Sequence, residues 1–275
     1  MSAPKNFVIT GSTRGIGRGV AAELLKRGHS VAISGRSQVA VDATLTDLAA
    51  YAAGDAKLVG TPADVSRTAD LQRLWDESKR PLGRIDVWVN NAGISHPRQP
   101  IGELHTEDVN AVEETNLLGM MLATQIAMRE MTTQPEGGTI YNMEGFGSTG
   151  MKTRGMSLYG ATKYALTYFN KCLIEETRGS KVRICYLSPG IVVTDLLKRD
   201  MGSTTAEEWE RTKRIYNILA DRVETVTPYL AEGLIANEKH GGRVAWLTGK
   251  KAAFRFMTAS IRKRKIIEDA DLQAT

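Results

Sequence analysis

VITGSTRGIG, residues 8–17, joins a short apolar run to a helical pattern through a turn that carries Gly11, Gly15 and Gly17. Glycines let a backbone turn tightly and approach a pyrophosphate, and the helix amino terminus just beyond offers free N–H groups and positive dipole. Three glycines alone are a weak signal; the strand–turn–helix setting strengthens it. Ser12, Thr13, Arg14 and Ile16 complete the loop and are placed with the glycines as cofactor-binding residues.

Outward from this turn, short apolar runs alternate with helical patterns. FVIT (7–10), VAIS (31–34), KLVG (57–60), IDVWVN (85–90), TIYNM (139–143), VRICYLS (182–188) and RVAWLT (243–248) read as strands. Between them, 16–28, 67–80, 107–131 and 159–178 carry apolar residues at three- and four-residue spacing. That alternation predicts an α/β protein, a doubly wound parallel sheet with helices on both faces. Residues 1–249 form the expected single domain, with a helical insertion near 195–240, followed by a basic tail at 250–275.

Composition agrees with one globular domain: 42% apolar and 24% charged over 275 residues. No apolar run approaches the roughly 20 residues that span a bilayer, and KNFVITG reads as strand and turn, not as a leader. Cys172 and Cys185 suggest neither a disulfide framework nor a zinc site. His29, His96, His105 and His240 have no ligand-like spacing, so no metal is assigned. Of the formal charge of +5, +4 lies from Lys250 onward, where seven Lys/Arg meet three Asp/Glu. Such a distribution argues against nucleic acid as a partner.

After the second strand a dinucleotide-binding sheet often carries an acid for the ribose 2′-hydroxyl. Here the sequence is SGRS, with Arg36 and Ser37, and Arg14 stands in the glycine loop. Two guanidinium groups suit a 2′-phosphate dianion, which favours NADPH over NADH as cofactor. Tyr159 and Lys163, four apart, share a helix face. A tyrosine ordinarily titrates near pH 10, and a neighbouring ammonium stabilises its phenolate and eases proton exchange at neutral pH.

TGSTRGIG at 10–17, NNAG at 90–93, Asn116, YGATK at 159–163 and SPGIVVT at 188–194 together resemble the short-chain dehydrogenase/reductase family over about residues 5–250. The resemblance implies a Rossmann fold and a carbonyl reductase. Tyr159 would donate the proton as hydride arrives, Lys163 would also bond the nicotinamide ribose, and Asn116 would hold a relay water. Asp64 and Val65 would lie at the adenine, Asn90, Ala92 and Gly93 would line the cofactor channel, and Pro189, Gly190, Val192 and Thr194 would hold the nicotinamide end. It also implies a homo-oligomer, a dimer or tetramer.

One position departs from the family. GTIYNMEGFG places Gly145 where the resemblance expects a catalytic serine, and losing such a hydrogen-bond donor costs about 3 kcal/mol. NMEGFGS resembles the N-M-D-G-x-G-S run of the chlorophyll b reductase branch, with Glu144 for aspartate, as do SPGIVVTDLL and LTGKKAAFRF. That branch implies reduction of the 7-formyl group of chlorophyll b without the serine. The replacement donor is Ser148 or Thr149, or else Tyr159 acts alone; Ser148, the nearest hydroxyl, is the one placed in the site.

A large lipophilic substrate needs an apolar opening. Leu196, Leu197, Met201, Trp209, Ile215, Tyr216 and Leu219 either wall that opening or pack onto the body. The alternatives to a chlorophyll b reductase are a reductase of another bulky aldehyde or ketone, and a catalytically silent NADP(H)-binding scaffold. KKAAFRFMTASIRKRKII (250–267) either lies on an anionic membrane or packs as an arm. The expected location is cytoplasmic, free or membrane-peripheral, at the plastid stroma or thylakoid surface in a plant or alga.

Overall fold

The computed structural model describes residues 3–197 and 206–267. Among these, a seven-stranded parallel sheet contains β1 (Asn6–Ile9), β2 (Ser30–Gly35), β3 (Leu58–Pro62), β4 (Val87–Asn90), β5 (Gly138–Met143), β6 (Val182–Ser188) and β9 (Arg243–Ala245). Its order is β3-β2-β1-β4-β5-β6-β9. A separate parallel pair joins β7 (Val192–Val193) to β8 (Asp221–Arg222). Both faces of the sheet are buried, which is why the strands read as continuous apolar runs. Along β1, Phe7 and Ile9 face one layer and Val8 the other.

One layer packs α1 (Gly15–Lys26) and α8 (Val223–Ala236) against Ile9, Ile33, Tyr141 and Leu187. The opposite layer sets Leu71 and Trp75 of α3 (Thr68–Leu82) and Ile126 of α5 (Gly119–Thr133) against Val8, Trp88 and Ile140. Between β1 and β4 the winding reverses, and in doubly wound sheets ligands bind at the carboxyl ends of the strands beside such a switch. Every motif singled out in the sequence lies at that end.

Three features differ from the sequence reading. A further helix, α2 (Gln38–Ala49), follows β2; it buries Val41, Thr44 and Leu48, and Ser37 caps it by accepting from Ala40 N at 3.4 Å. The 107–131 pattern divides into α4 (Thr106–Glu113), a π-turn at Glu114–Leu118 and α5, because Asn116 is turned out of the helical repeat toward the loop after β4. Finally, 195–240 is not one insertion. Val226, Leu230 and Leu234 place α8 in the main core, so among the described residues after Leu197 it is α7 (Ala206–Leu219) and β8 that depart from the sheet-and-helix body.

Candidate active site

The glycine loop is fitted closely to its neighbours. Gly11 has φ of +61°, and a Cβ there would come within 2.7 Å of the Ala92 backbone, so only glycine allows the β1 and β4 ends to meet. A Cβ on Gly17 would meet the Asn91 amide at 2.5 Å. Ser12 is fully buried: it donates to Ile9 O at 2.6 Å and accepts from Ser34 N at 3.0 Å, so its side chain stitches the loop to β2. Gly15 faces Thr194, whose methyl would stand 3.4 Å from an added Cβ. The Gly15 turn and the Thr194 loop thus lie side by side at the strand ends.

At the β2 end, Thr13 packs against Gly35, and Thr44 of α2 bonds the Thr13 carbonyl at 3.2 Å. These contacts tie the glycine loop to β2 and to the middle of α2, and Arg14 and Arg36 are both exposed. Arg14 also lies 3.7 Å from Asp195, a solvent-exposed pair of little energetic weight. Asp64 accepts from Ser66 N at 3.0 Å and Ser66 Oγ at 2.8 Å, which fixes its carboxylate at the β3 end. Val65 is packed in the core against Gly119. Asn90 turns away from the cleft: it accepts from Trp88 Nε1 and donates to Thr124 and to Asn142. Asn142 continues to Asn170 on α6 (Ser157–Glu176), making a buried amide ladder under the site. Its low-dielectric surroundings make every member costly to leave unpaired.

Beside the ladder the catalytic candidates converge. Asn116, almost fully buried, clamps the backbone of Ile94 with bonds of 2.8 and 2.9 Å and reaches Thr162 at 3.5 Å. An added Cβ on Gly93 would lie 3.3 Å from Asn116 Oδ1 and 3.9 Å from Lys163 Nζ, so Gly93 forms the cleft floor between them. Lys163 is buried and donates to Met143 O at 3.2 Å, with its ammonium 5.8 Å from the Tyr159 ring centroid. Burial pulls its pKa down to about 8, against the opposing pull of the Glu144 carboxylate. Pro189 is buried and Gly190 turns the chain at φ of +74°; Val192 is core, and Thr194 stays half-buried at the cleft.

A glycine-lined cleft, a helix amino terminus and an ammonium beyond a bare Gly93 floor fit a nicotinamide dinucleotide. The short chain dehydrogenase family model matches residues 5–204. The chain belongs to the short-chain dehydrogenase/reductase family.

This short-chain oxidoreductase is 35% identical over 282 residues to the probable chlorophyll(ide) b reductase NYC1, chloroplastic, of Oryza sativa subsp. japonica, a match covering 98% of this chain and 55% of that protein. The chain therefore spans about half the length of that relative. It is 36% identical over 280 residues to the chlorophyll(ide) b reductase NOL, chloroplastic, of Arabidopsis thaliana, covering 98% of this chain and 78% of that one. In fold it is similar to a 3-ketoacyl-(acyl-carrier-protein) reductase from Brucella melitensis, solved with NADH, with a TM-score of 0.77 at 23% identity over 91% of this chain and 100% of that one.

The position that departs from the reductase pattern has a physical explanation. A Cβ on Gly145 would meet the Tyr159 hydroxyl at 2.6 Å and Lys163 side-chain carbons at 3.2–3.3 Å. The tyrosine hydroxyl occupies the space a serine side chain would need. Ser148, expected as the replacement donor, is committed elsewhere: its oxygen accepts from Gly145 N at 3.0 Å and its proton points to the Lys163 carbonyl at 3.4 Å. Its hydroxyl therefore ties the 145–148 turn to α6. Thr149 is exposed.

Two further residues border the site: His96, which the sequence did not point to, and Glu144, which it placed at the strand end. His96 is fully buried, places one ring nitrogen 2.7 Å from Pro97 O and accepts from Tyr159 N at 3.3 Å with the other. It thereby satisfies an otherwise orphaned N–H in the first turn of α6. Only the spatial meeting of the β4 loop with α6 reveals it. Glu144, also buried, stands 3.0 Å from Arg243 without a hydrogen-bonding alignment, and Arg243 in turn lies over the Tyr186 ring. Burial raises the Glu144 pKa, while Arg243, Ser188 and Lys163 act the other way.

That pairing gives a pH test. With Lys163 as the catalytic ammonium that the sequence leads one to expect, kcat/KM should fall as pH rises through about 8. Removing the Glu144 charge removes an influence that raises the Lys163 pKa. Glu144→Gln is expected to move the fall to lower pH. A pH–rate profile with the same alkaline limb in both proteins would show that no carboxylate charge reaches Lys163.

The apolar residues expected around the opening are partly accounted for. Leu197 and Trp209 are buried with Ile267 of the tail, with Tyr216 and Ile266 packed against them. Ile215 is exposed, Leu196 and Leu219 are half-buried, and Met201 lies outside the described residues.

Proposed function

We propose that this chain is an NADPH-dependent carbonyl reductase of the chlorophyll b reductase type, converting the 7-formyl group to 7-hydroxymethyl. The observation that carries the reading is the extent of the similarity to the two chlorophyll(ide) b reductases. It covers 98% of the chain, whereas the general family model ends at residue 204. The segment beyond that limit is thus part of what the relatives share.

When bound, NADPH supplies the hydride to the formyl carbon. Tyr159 gives its phenolic proton to the formyl oxygen, and Lys163 stabilises the phenolate left behind. Asn116 holds the β4 loop and α6 in register so that a proton can be returned through water. Gly145 lets Tyr159 reach the strand end, so Tyr159 bonds the oxygen without a serine. Ser148 fixes the turn that Gly145 opens. Arg14, Arg36 and the α2 amino terminus receive the 2′-phosphate, and Asp64 meets the adenine. Exposed Tyr164 and Tyr168 on the outer face of α6 suit a homo-oligomer. No helix among the described residues is long and apolar enough to cross a membrane, and peripheral contact through the tail would bring the enzyme to a lipid-dissolved substrate. We place it in the cytoplasm of a bacterium, or at the stroma or thylakoid surface of a plastid.

Anaerobic incubation with NADPH and chlorophyll b, followed by chromatography, should yield the 7-hydroxymethyl product. Turnover of other bulky aldehydes but not this one would shift the substrate class. Tight NADPH binding with no aldehyde reduced would leave the silent scaffold. For the cofactor, Arg36→Ala is expected to weaken NADPH binding about tenfold, the lower end for a charge-assisted contact at an exposed side chain, and to leave NADH nearly unchanged. Equal losses for both in calorimetry would remove Arg36 from the phosphate site.

A further inference from the structure

Helix α9 (Gly249–Thr258) and the turn after it are packed inside out. Its basic side turns to the body: Arg255 donates to Asp221 Oδ2 and to Leu219 O, both at 2.8 Å. Arg264 bonds Ile218 O at 2.7 Å and Ala220 O at 2.8 Å and also pairs with Asp221, which is only 3% exposed. Trp246 Nε1 donates to the same carboxylate at 2.6 Å, and Lys251 lies over the Trp246 ring. Asn217 Oδ1 accepts from the backbone of Ile266 and Ile267 at 2.6 and 2.9 Å, which anchors the end of the segment.

The opposite side is apolar and in water. Phe254, Met257 and Ile261, at spacings of three and four, are 48%, 72% and 84% exposed, and Phe256 is 50% exposed beside them. Lys250, Arg262, Lys263 and Lys265 are exposed around this stripe. No acidic residue occurs in 249–267. A soluble helix normally directs such a stripe to the core, so the inversion marks a face built for contact.

We propose that this face docks on an anionic lipid bilayer, with Phe254, Phe256, Met257 and Ile261 entering the interface and the four exposed cations meeting acidic headgroups. Charge decides the occupant. A two-fold contact between copies would set the same cations against each other with no acid within the segment to answer them. An acidic membrane surface both receives the apolar stripe and attracts the ring of charge. Because the clasp on Asp221 already holds the segment in place, docking needs no folding of the tail. The inference rests on the tail alone and does not depend on which carbonyl compound is reduced.

The test is co-sedimentation of the whole chain with phosphatidylcholine vesicles, with and without phosphatidylglycerol in equal part. Binding is expected only to the phosphatidylglycerol vesicles, at least about tenfold above phosphatidylcholine, and to weaken as salt is raised. Phe254→Ser combined with Met257→Ser and Ile261→Ser should lower that binding about tenfold or more while NADPH affinity is unchanged, which shows an intact fold. Equal binding to both vesicles, equal binding by the triple variant, or no binding at all would overturn the proposal. If, in that last case, the triple variant elutes as a smaller species than wild type, the face is a contact between subunits.

Discussion

Tyr159→Phe is expected to lower turnover about a thousandfold, within the range that a positioned general acid contributes, while NADPH binding stays near wild type. The substitution removes one oxygen and leaves the ring, which is almost fully buried and lies near the Lys163 ammonium. The packing of the ring is kept, so thermal stability should change by about 1 kcal/mol or less. The effect should appear in kcat, since a proton given only in the transition state is lost from that state and not from substrate binding. Retention of most activity with any accepted aldehyde would mean that another group is the acid. The neighbouring Lys163 would then need a different explanation for its burial.

Gly145→Ser is expected to lower kcat about a hundredfold, although it restores the serine that the family resemblance leads one to expect at this position. The new Cβ would begin 2.6 Å from the Tyr159 hydroxyl, a separation that real side chains do not tolerate. Lys163 carbons at 3.2–3.3 Å block retreat on one side, and the Ser148 bond to Gly145 N holds the turn on the other. Tyr159 is the group that must move. A displacement of about 1 Å at a catalytic atom costs about a hundredfold in rate. Gly145→Ala should do nearly as much harm as Gly145→Ser, because the Cβ and not the hydroxyl is responsible. If the serine variant instead gains activity, the site relaxes easily and the glycine reflects a lost donor, not a rearranged one.

Much of this protein follows from local pattern. The glycine turn, the alternation of apolar strands with helical periodicity and the Tyr-x-x-x-Lys spacing are properties of neighbouring residues, and each requires only a few positions to be read together. From them came the doubly wound sheet, the nicotinamide cleft and the face shared by Tyr159 and Lys163. The strand ends at β1, β2, β4, β5 and β6 fall where the sequence places them, within a few residues. Helix α2 escaped that reading because β-branched residues blur its pattern, and the π-turn at 114–118 because its cause, the clamp from Asn116 to Ile94, lies 22 residues away.

What the sequence could not decide depends on distances between segments far apart in the chain. Ser148 was the nearest hydroxyl along the chain, but its bonds go to Gly145 and Lys163. Asn90 belongs to a motif at the cofactor, yet its side chain pairs across β5 and α5. His96 touches Tyr159 across 63 positions. The tail reads as a basic segment, and only the packing of Arg255 and Arg264 on Asp221 turns its apolar stripe outward. In each case the residue's partners are set by the packing of whole layers against the sheet, so its chemistry is fixed by tertiary contacts and not by its neighbours in sequence.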